Sequence, residues 1–102
     1  MTFSDDPFVR ELLPEFIEQW LIDLKEQYLP AVETKNADDL YRIGHTLKGS
    51  GYQFGMTELG DIGKVVMAEA KSQNWERATE LCKEIEQMLL DAQAEVEKLP
   101  KE

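Results

Sequence analysis

The sequence predicts an all-α protein: an antiparallel up-down four-helix bundle with a short N-terminal lead-in helix. Apolar residues recur at spacings of three and four along most of the 102 residues, the pattern of helices with one buried face. No segment shows the strict alternation of a half-buried strand, and no repeat is visible. Short connections between the predicted helices favour antiparallel neighbours.

The whole chain is assigned to one small domain, because a chain of this length builds one core but not two. Cap and turn residues divide it into a lead-in over residues 1–13 and bundle helices over about 14–34, 37–54, 58–72 and 75–98.

Three prolines in the first third of the chain indicate where helices start or are interrupted. Asp5 or Asp6 can cap the lead-in helix, and Pro7 suits its first turn. Pro14 is expected to start the first long helix. Pro30 is expected to kink or open that helix, because proline has no N–H for the bond to the carbonyl four residues earlier.

The other three helices have their own start and stop signals. Asn36, Thr57 and Asn74 are expected to cap them, since their side-chain oxygens can accept from backbone N–H groups in the first turn. Gly55 is expected to end the second helix in a left-handed conformation.

Glycines are expected to bring the second and third helices close together. Gly51 falls on the core side of the second helix, and Gly60 and Gly63 lie in the third. A glycine costs a helix interior about 1 kcal/mol relative to alanine. Close contact between the helices is the expected compensation.

Charge and cysteine content narrow the function classes. Twenty-one acidic and eleven basic residues give a net charge of −10, so neither nucleic acid nor an anionic membrane is an expected partner. A single cysteine excludes an internal disulfide and fits a reducing compartment. No apolar run approaches the roughly 20 residues of a membrane span, and the start of the chain lacks the basic residues of a signal peptide. We expect a cytoplasmic protein.

The only histidine of the chain is expected to point to solvent. At about 100° per residue, Leu40, Leu47 and Phe54 form one core stripe of the second helix, and His45 lies roughly 160° from Leu47. An outward imidazole is open to a partner.

Two residues next to the histidine suit an incoming anionic group. Lys48 and Gly49 follow His45 by three and four residues, the spacings that make helix neighbours. The ammonium of Lys48 can support an anion, and Gly49 leaves a bare strip of helix. The same patch is bordered by three candidate docking residues, Tyr41, Arg42 and Tyr52. Boundary packing for the two tyrosines, and a plain surface charge for the arginine, stay open as alternatives.

Other chemistries fit less well. A metal site is not expected, because there is no second histidine and Cys82 lies on a core stripe. Nucleophilic catalysis asks for an activating partner, and the neighbourhood of His45 offers Lys48 rather than a carboxylate. General acid–base work is open to any exposed imidazole, but no pocket is evident.

The second helix contains the run His-x-Leu-Lys-Gly-Ser-Gly from His45 to Gly51, followed by Phe54-Gly55 and Leu59. This run resembles the signature of histidine-containing phosphotransfer (HPt) domains. The resemblance extends from roughly Pro14 to Leu99. Members of that family are four-helix bundles that shuttle a phosphoryl group between aspartates of receiver domains through one exposed histidine.

The resemblance implies a role for each site residue. His45 would accept and donate the phosphoryl group, and Lys48 would support it. The partners would be receiver domains of response regulators or hybrid histidine kinases, with Mg²⁺ bound beside their aspartate. This chain would then need no cofactor of its own, and we expect it to be a monomer.

Two positions depart from the family pattern. Gly51 stands where members often have alanine or serine. Met67 stands where some members place a glutamine near the phosphohistidine. Lys64 and Lys71 lie on the same helix and can supply polar support, but their roles stay open.

We therefore predict a phosphoryl carrier of a two-component phosphorelay, and not an enzyme, since no ATP-binding glycine loop is visible. Two alternatives are the histidine-bearing substrate domain of a larger sensor kinase and a bundle that docks receivers without phosphotransfer. Met1 and the polar tail Lys101-Glu102 favour a free-standing chain.

Overall fold

The computed structural model of the protein describes residues 3–99, and over that range it contains helices and turns but no strand. Its elements, in chain order, are α1 (Pro7–Asp23), a π-helical segment (Leu24–Tyr28), α2 (Leu29–Glu33), α3 (Ala37–Gln53), α4 (Thr57–Ser72) and α5 (Trp75–Glu97). The first three elements run on without a break, so the bundle has four rods. The predicted all-α up-down bundle is confirmed. Met1, Thr2 and the tail after Leu99, which figured in the expectations above, lie outside the described residues.

The predicted division between a lead-in helix and a first helix starting at Pro14 is wrong. The Asp6 carboxylate accepts a hydrogen bond from the Phe8 N–H at 2.9 Å, and Pro7 occupies the first turn, so α1 begins there. Pro14 lies inside α1 and is exposed. It removes the backbone bond to the Arg10 carbonyl, but α1 continues through this position to Asp23.

Pro30 opens the first rod as predicted. The helix widens over Leu24–Tyr28, and the Leu29 N–H donates to the Leu24 carbonyl, five residues back. Widening leaves room for a proline ring that a regular α-helical turn would crowd. At this bend the Tyr28 hydroxyl reaches across the core and donates to the Ala78 carbonyl at 2.7 Å.

Most of the predicted caps are confirmed. Asn36 and Asn74 each accept a hydrogen bond at 3.1 Å from the backbone N–H three residues later. Gly55, two residues after the end of α3, has the predicted left-handed conformation, with φ +77°. The prediction for Thr57 is wrong: Met56 occupies the cap position and is fully buried, and Thr57 is the first helical residue. The start of α4 is therefore held in place by the buried Met56 side chain, and not by a side-chain hydrogen bond to the first turn.

The core runs the length of the bundle, which measures 45 × 19 × 16 Å. All four rods contribute to it, through residues that include Ile17, Leu24, Leu40, Leu47, Leu59, Val66, Ile85 and Leu89. Trp20 and Cys82 are also buried. Among residues 3–99, every buried side-chain nitrogen or oxygen has a hydrogen-bond partner.

Glycines bring the backbones of α3 and α4 into contact, as predicted. A Cβ built on Gly51 would lie 2.5 Å from the Gly60 backbone nitrogen, and one on Gly63 would lie 2.6 Å from that of Lys48. Real Cβ atoms do not approach so closely, so a side chain at either position would push the helices apart. Gly44 makes a similar contact, with Val66, that the sequence did not reveal.

Candidate functional site

His45 lies in the middle of α3 and is exposed. Leu40 and Leu47, on the other side of the helix, are fully buried. The helix cannot turn about its axis, because Gly44 and Gly51 face α4 at distances that admit no side chain. Core packing and the glycine contacts therefore direct the imidazole outward, as predicted. Within residues 3–99, no hydrogen bond or ion pair joins it to another residue.

Lys48 is half-buried one turn after His45. Its backbone lies against Gly63 of α4, which fixes where its side chain leaves the helix. In the described part of the chain its ammonium has no ion-pair partner. The ammonium is thus free to meet an anionic group beside the imidazole.

Gly49 opens the surface next to His45. A Cβ built on it would meet no atom of the described residues within 4 Å. It is unlike Gly44, Gly51 and Gly63, whose neighbours leave no room for a side chain. The prediction that Gly49 faces out is confirmed, and no packing requirement within residues 3–99 explains why it is glycine.

A tyrosine–lysine pair lies on the N-terminal side of His45. Tyr41, one turn before the histidine, is half-buried, and the Lys71 ammonium of α4 lies 5.3 Å from the centre of its ring. A cation at this distance is attracted to the negative face of the ring. Lys71 is therefore held against Tyr41, the residue one turn before His45.

A second such pair lies on the C-terminal side. The Lys64 ammonium is 5.3 Å from the centre of the Tyr52 ring. The Tyr52 hydroxyl donates to the Asp61 carboxylate at 2.5 Å. Hydrogen bonding and charge interaction with Tyr52 raise the pKa of Lys64, and Asp61 adds a smaller contribution.

Arg42 lies one turn before His45 with its side chain 76% exposed. It forms an ion pair with Asp39 at 3.8 Å, a long and solvent-exposed contact that holds it weakly. The position is compatible with either a docking residue or a plain surface charge.

Met67 lies beside the histidine, where some HPt domains have a glutamine. It is partly buried, and a Cβ on Gly44 would lie 3.0 Å from its Cγ. The Met67 side chain packs against α3 at Gly44, the residue before His45, and has no strong hydrogen-bond donor. Lys64 and Lys71, the two lysines of α4, lie three residues before and four residues after it.

The structure thus brings together all six predicted site residues on one face, and adds Lys64 and Lys71. Sequence reasoning left these two lysines without a role. Their spacing of seven residues places them on one side of α4, but only the register between α3 and α4 shows that each meets a tyrosine.

Two further findings concern metal binding and membrane insertion. Residues 3–99 contain no group of three or more histidine, cysteine, aspartate or glutamate side chains placed to hold a metal ion. Over the same residues, every helix is too short or too polar to cross a bilayer.

The family model of the Hpt domain matches residues 9–100. The match covers most of the chain, and the chain therefore belongs to the Hpt domain family. Hpt domains take part in histidine phosphotransfer in phosphorelays and interact with receiver domains, as phosphotransfer carriers and not as catalytic kinase domains. No curated protein and no solved structure matches the chain.

Proposed function

We propose that this protein carries a phosphoryl group on His45 between the aspartates of receiver domains in a two-component phosphorelay. One observation supports the proposal above all others. In a member of the Hpt family, the only histidine of the chain is exposed and has no side-chain partner among residues 3–99, and the core and the glycine contacts behind it hold it outward.

The transfer is a displacement at phosphorus. A nitrogen of the neutral imidazole attacks the aspartyl phosphate of a receiver; the new P–N bond forms as the P–O bond breaks, and the aspartate leaves as a carboxylate. The reverse reaction passes the group to a second receiver. Mg²⁺, which assists by neutralising the phosphoryl oxygens, is supplied by the receiver in this proposal.

Residues around His45 have supporting roles. Lys48 places a positive charge against the phosphoryl oxygens. Lys71 is held on the ring of Tyr41, one turn before His45, and adds positive charge to this side of the site. Gly49 leaves room for the receiver's active-site loop to approach the imidazole. Phosphoryl transfer depends mainly on positioning and charge, so these residues suffice for a carrier.

The proposed carrier acts as a monomer in the cytoplasm. Support for a reducing compartment comes from Cys82, a free and buried thiol and the only cysteine of the chain. The net charge of −10 keeps copies of the chain apart.

A transfer assay tests the proposal. The purified chain is incubated with a receiver phosphorylated on its aspartate, in the presence of Mg²⁺, and the chain is examined for acid-labile, base-stable label. We expect label on the wild type and none on His45→Gln, whose helix content and melting temperature stay close to those of the wild type because the side chain is outside the core.

Two alternative functions predict different results. A bundle that only docks receivers binds them without acquiring label. The substrate domain of a sensor kinase takes label from an ATP-charged kinase domain and not from a phosphorylated receiver.

A further inference from the structure

We propose that Tyr52 is a docking residue for phosphotransfer: an aromatic anchor, positioned in advance by α4, on which the receiver docks. This inference rests on the proposed function.

Three features of α4 hold the Tyr52 ring in one place. Gly60 leaves the space that the ring occupies, since a Cβ there would lie 2.5 Å from two ring carbons. The Asp61 carboxylate accepts from the hydroxyl at 2.5 Å. The Lys64 ammonium lies 5.3 Å from the ring centre. These three contacts, all from one part of α4, restrict the ring to one position.

The same side chain is nevertheless open to a partner. Tyr52 is 38% exposed, so part of its surface is accessible although α4 packs against the ring. It follows His45 by seven residues, which places the two within roughly 20° of each other around the helix axis. A receiver that reaches the imidazole across Gly49 therefore meets the Tyr52 ring next.

A ring held in advance is suited to be a binding hot spot. Tyrosine contributes a large, rigid contact area, and a side chain already ordered loses little conformational entropy on binding. Flexible surface tyrosines lack this advantage. The contacts with Gly60, Asp61 and Lys64 thus order the ring before a receiver binds.

The charge of the face that carries His45 indicates which partner docks on Tyr52. Four of the chain's eleven basic residues lie on this part of α3 and α4, although the chain carries a net charge of −10: Arg42, Lys48, Lys64 and Lys71. Arg42 is paired with Asp39, and Asp61 lies near Lys64, so Lys48 and Lys71 are the two with no acidic partner among residues 3–99. Such a basic area in an acidic protein attracts a partner that is negative around its reacting group. A receiver presenting an aspartyl phosphate has that character, and it must contact this face to reach His45.

Transfer kinetics at varied receiver concentration test the inference. Tyr52→Leu is expected to raise the half-saturating receiver concentration about tenfold, the size of a moderate hot-spot loss, with the rate constant at saturation unchanged within about twofold. The lifetime of phosphohistidine on the isolated chain should not change. Tyr52→Phe keeps the ring and loses only the bond to Asp61, so a smaller increase is expected.

Gly60→Ala tests positioning without altering any atom that the receiver touches. The added methyl group displaces the Tyr52 ring, and the half-saturating concentration should rise. In the Tyr52→Leu background the same substitution should have no further effect, because the nearest atoms to the new Cβ belong to the Tyr52 ring. Leu90→Ala, which trims a side chain 44% exposed on α5, is the matched control and should leave transfer unchanged.

Three results would overturn the inference: an unchanged half-saturating concentration in Tyr52→Leu, an equal effect of Gly60→Ala in both backgrounds, or an equal effect of Leu90→Ala. Absence of label on the wild-type chain itself would overturn the proposed function together with this inference. If the wild type is labelled normally and Tyr52→Leu has the same transfer kinetics as the wild type, the inference alone would be overturned.

Discussion

Gly63 lies against the backbone of Lys48, so closely that a Cβ on Gly63 would be 2.6 Å from the Lys48 nitrogen and 2.9 Å from its Cα. This contact ties α4 to α3 one turn after His45. The position of the candidate phosphoryl-supporting lysine thus depends on the absence of a side chain on the neighbouring helix.

Gly63→Ala is therefore expected to destabilise the protein. The methyl group meets backbone atoms that cannot move away cheaply, and overpacking of this kind costs about 1–3 kcal/mol, more than the gain of up to about 1 kcal/mol in helix propensity. Urea unfolding measures the change. Gly49→Ala is the matched control, since its methyl group meets open space, and it should raise the free energy of unfolding. Equal effects of the two substitutions would show that α3 and α4 are less closely packed than described.

Gly49→Gln should slow phosphotransfer while the fold remains stable. Glutamine is a better helix former than glycine, but its side chain stands where the receiver approaches His45. A displacement of the reacting atoms by about 1 Å can cost up to about a hundredfold in rate. Single-turnover transfer from a phosphorylated receiver measures the loss, and Gly49→Ala should transfer at close to the wild-type rate. Wild-type kinetics in the glutamine variant would remove Gly49 from the docking surface.

Lys48→Ala should slow transfer about two- to tenfold, because a partly exposed charge contact contributes about 0.5–1.5 kcal/mol. The effect should shrink as salt shortens the Debye length. Lys48→Arg should recover part of the rate, since it keeps the charge with a different geometry. Lys83→Ala, a surface lysine on α5, is the control. Equal rates for the wild type and Lys48→Ala at low salt would make Lys48 a plain surface charge.

The buried thiol of Cys82 predicts how stability changes at alkaline pH. Burial, with a smaller contribution from the charge of Glu86, raises the pKa of Cys82 from 9.0 to about 11. The folded state holds this proton more tightly than the unfolded state. Its stabilising effect is therefore complete below about pH 9 and is lost as pH rises towards 11, by up to about 1.4 kcal/mol per pH unit.

Cys82→Ala lacks this titration. The free energy of unfolding of the wild type should therefore fall more steeply between pH 9 and 11. Parallel curves for the two proteins would mean that the thiol is as accessible to water in the folded chain as in the unfolded one.

Periodicity and caps predicted the bundle because they are local properties. The outward direction of His45 follows from its angle to Leu47, and the starts at Asn36 and Asn74 follow from one side-chain oxygen each. Pro14 misled the prediction because proline is typical of a first helical turn, whereas here it lies inside α1, which continues without one backbone bond.

The two tyrosine–lysine pairs were not predictable in the same way. Whether Lys64 meets Tyr52, or Lys71 meets Tyr41, depends on the register between α3 and α4. That register results from close backbone contacts at several glycines together. Sequence spacing indicates which residues share a face of one helix, but not which residues of two helices face each other.

The most direct test of the central claim follows the phosphoryl group onto His45 and off again. The chain is labelled by a phosphorylated receiver, separated from it, and digested to locate the label. The labelled chain is then mixed with a second, unphosphorylated receiver and Mg²⁺. We expect label on the peptide that contains His45, followed by its loss from the chain and its appearance on the receiver aspartate. Label on any other residue, or label released only as inorganic phosphate at the rate seen without receiver, would contradict the proposal that this protein is a phosphoryl carrier.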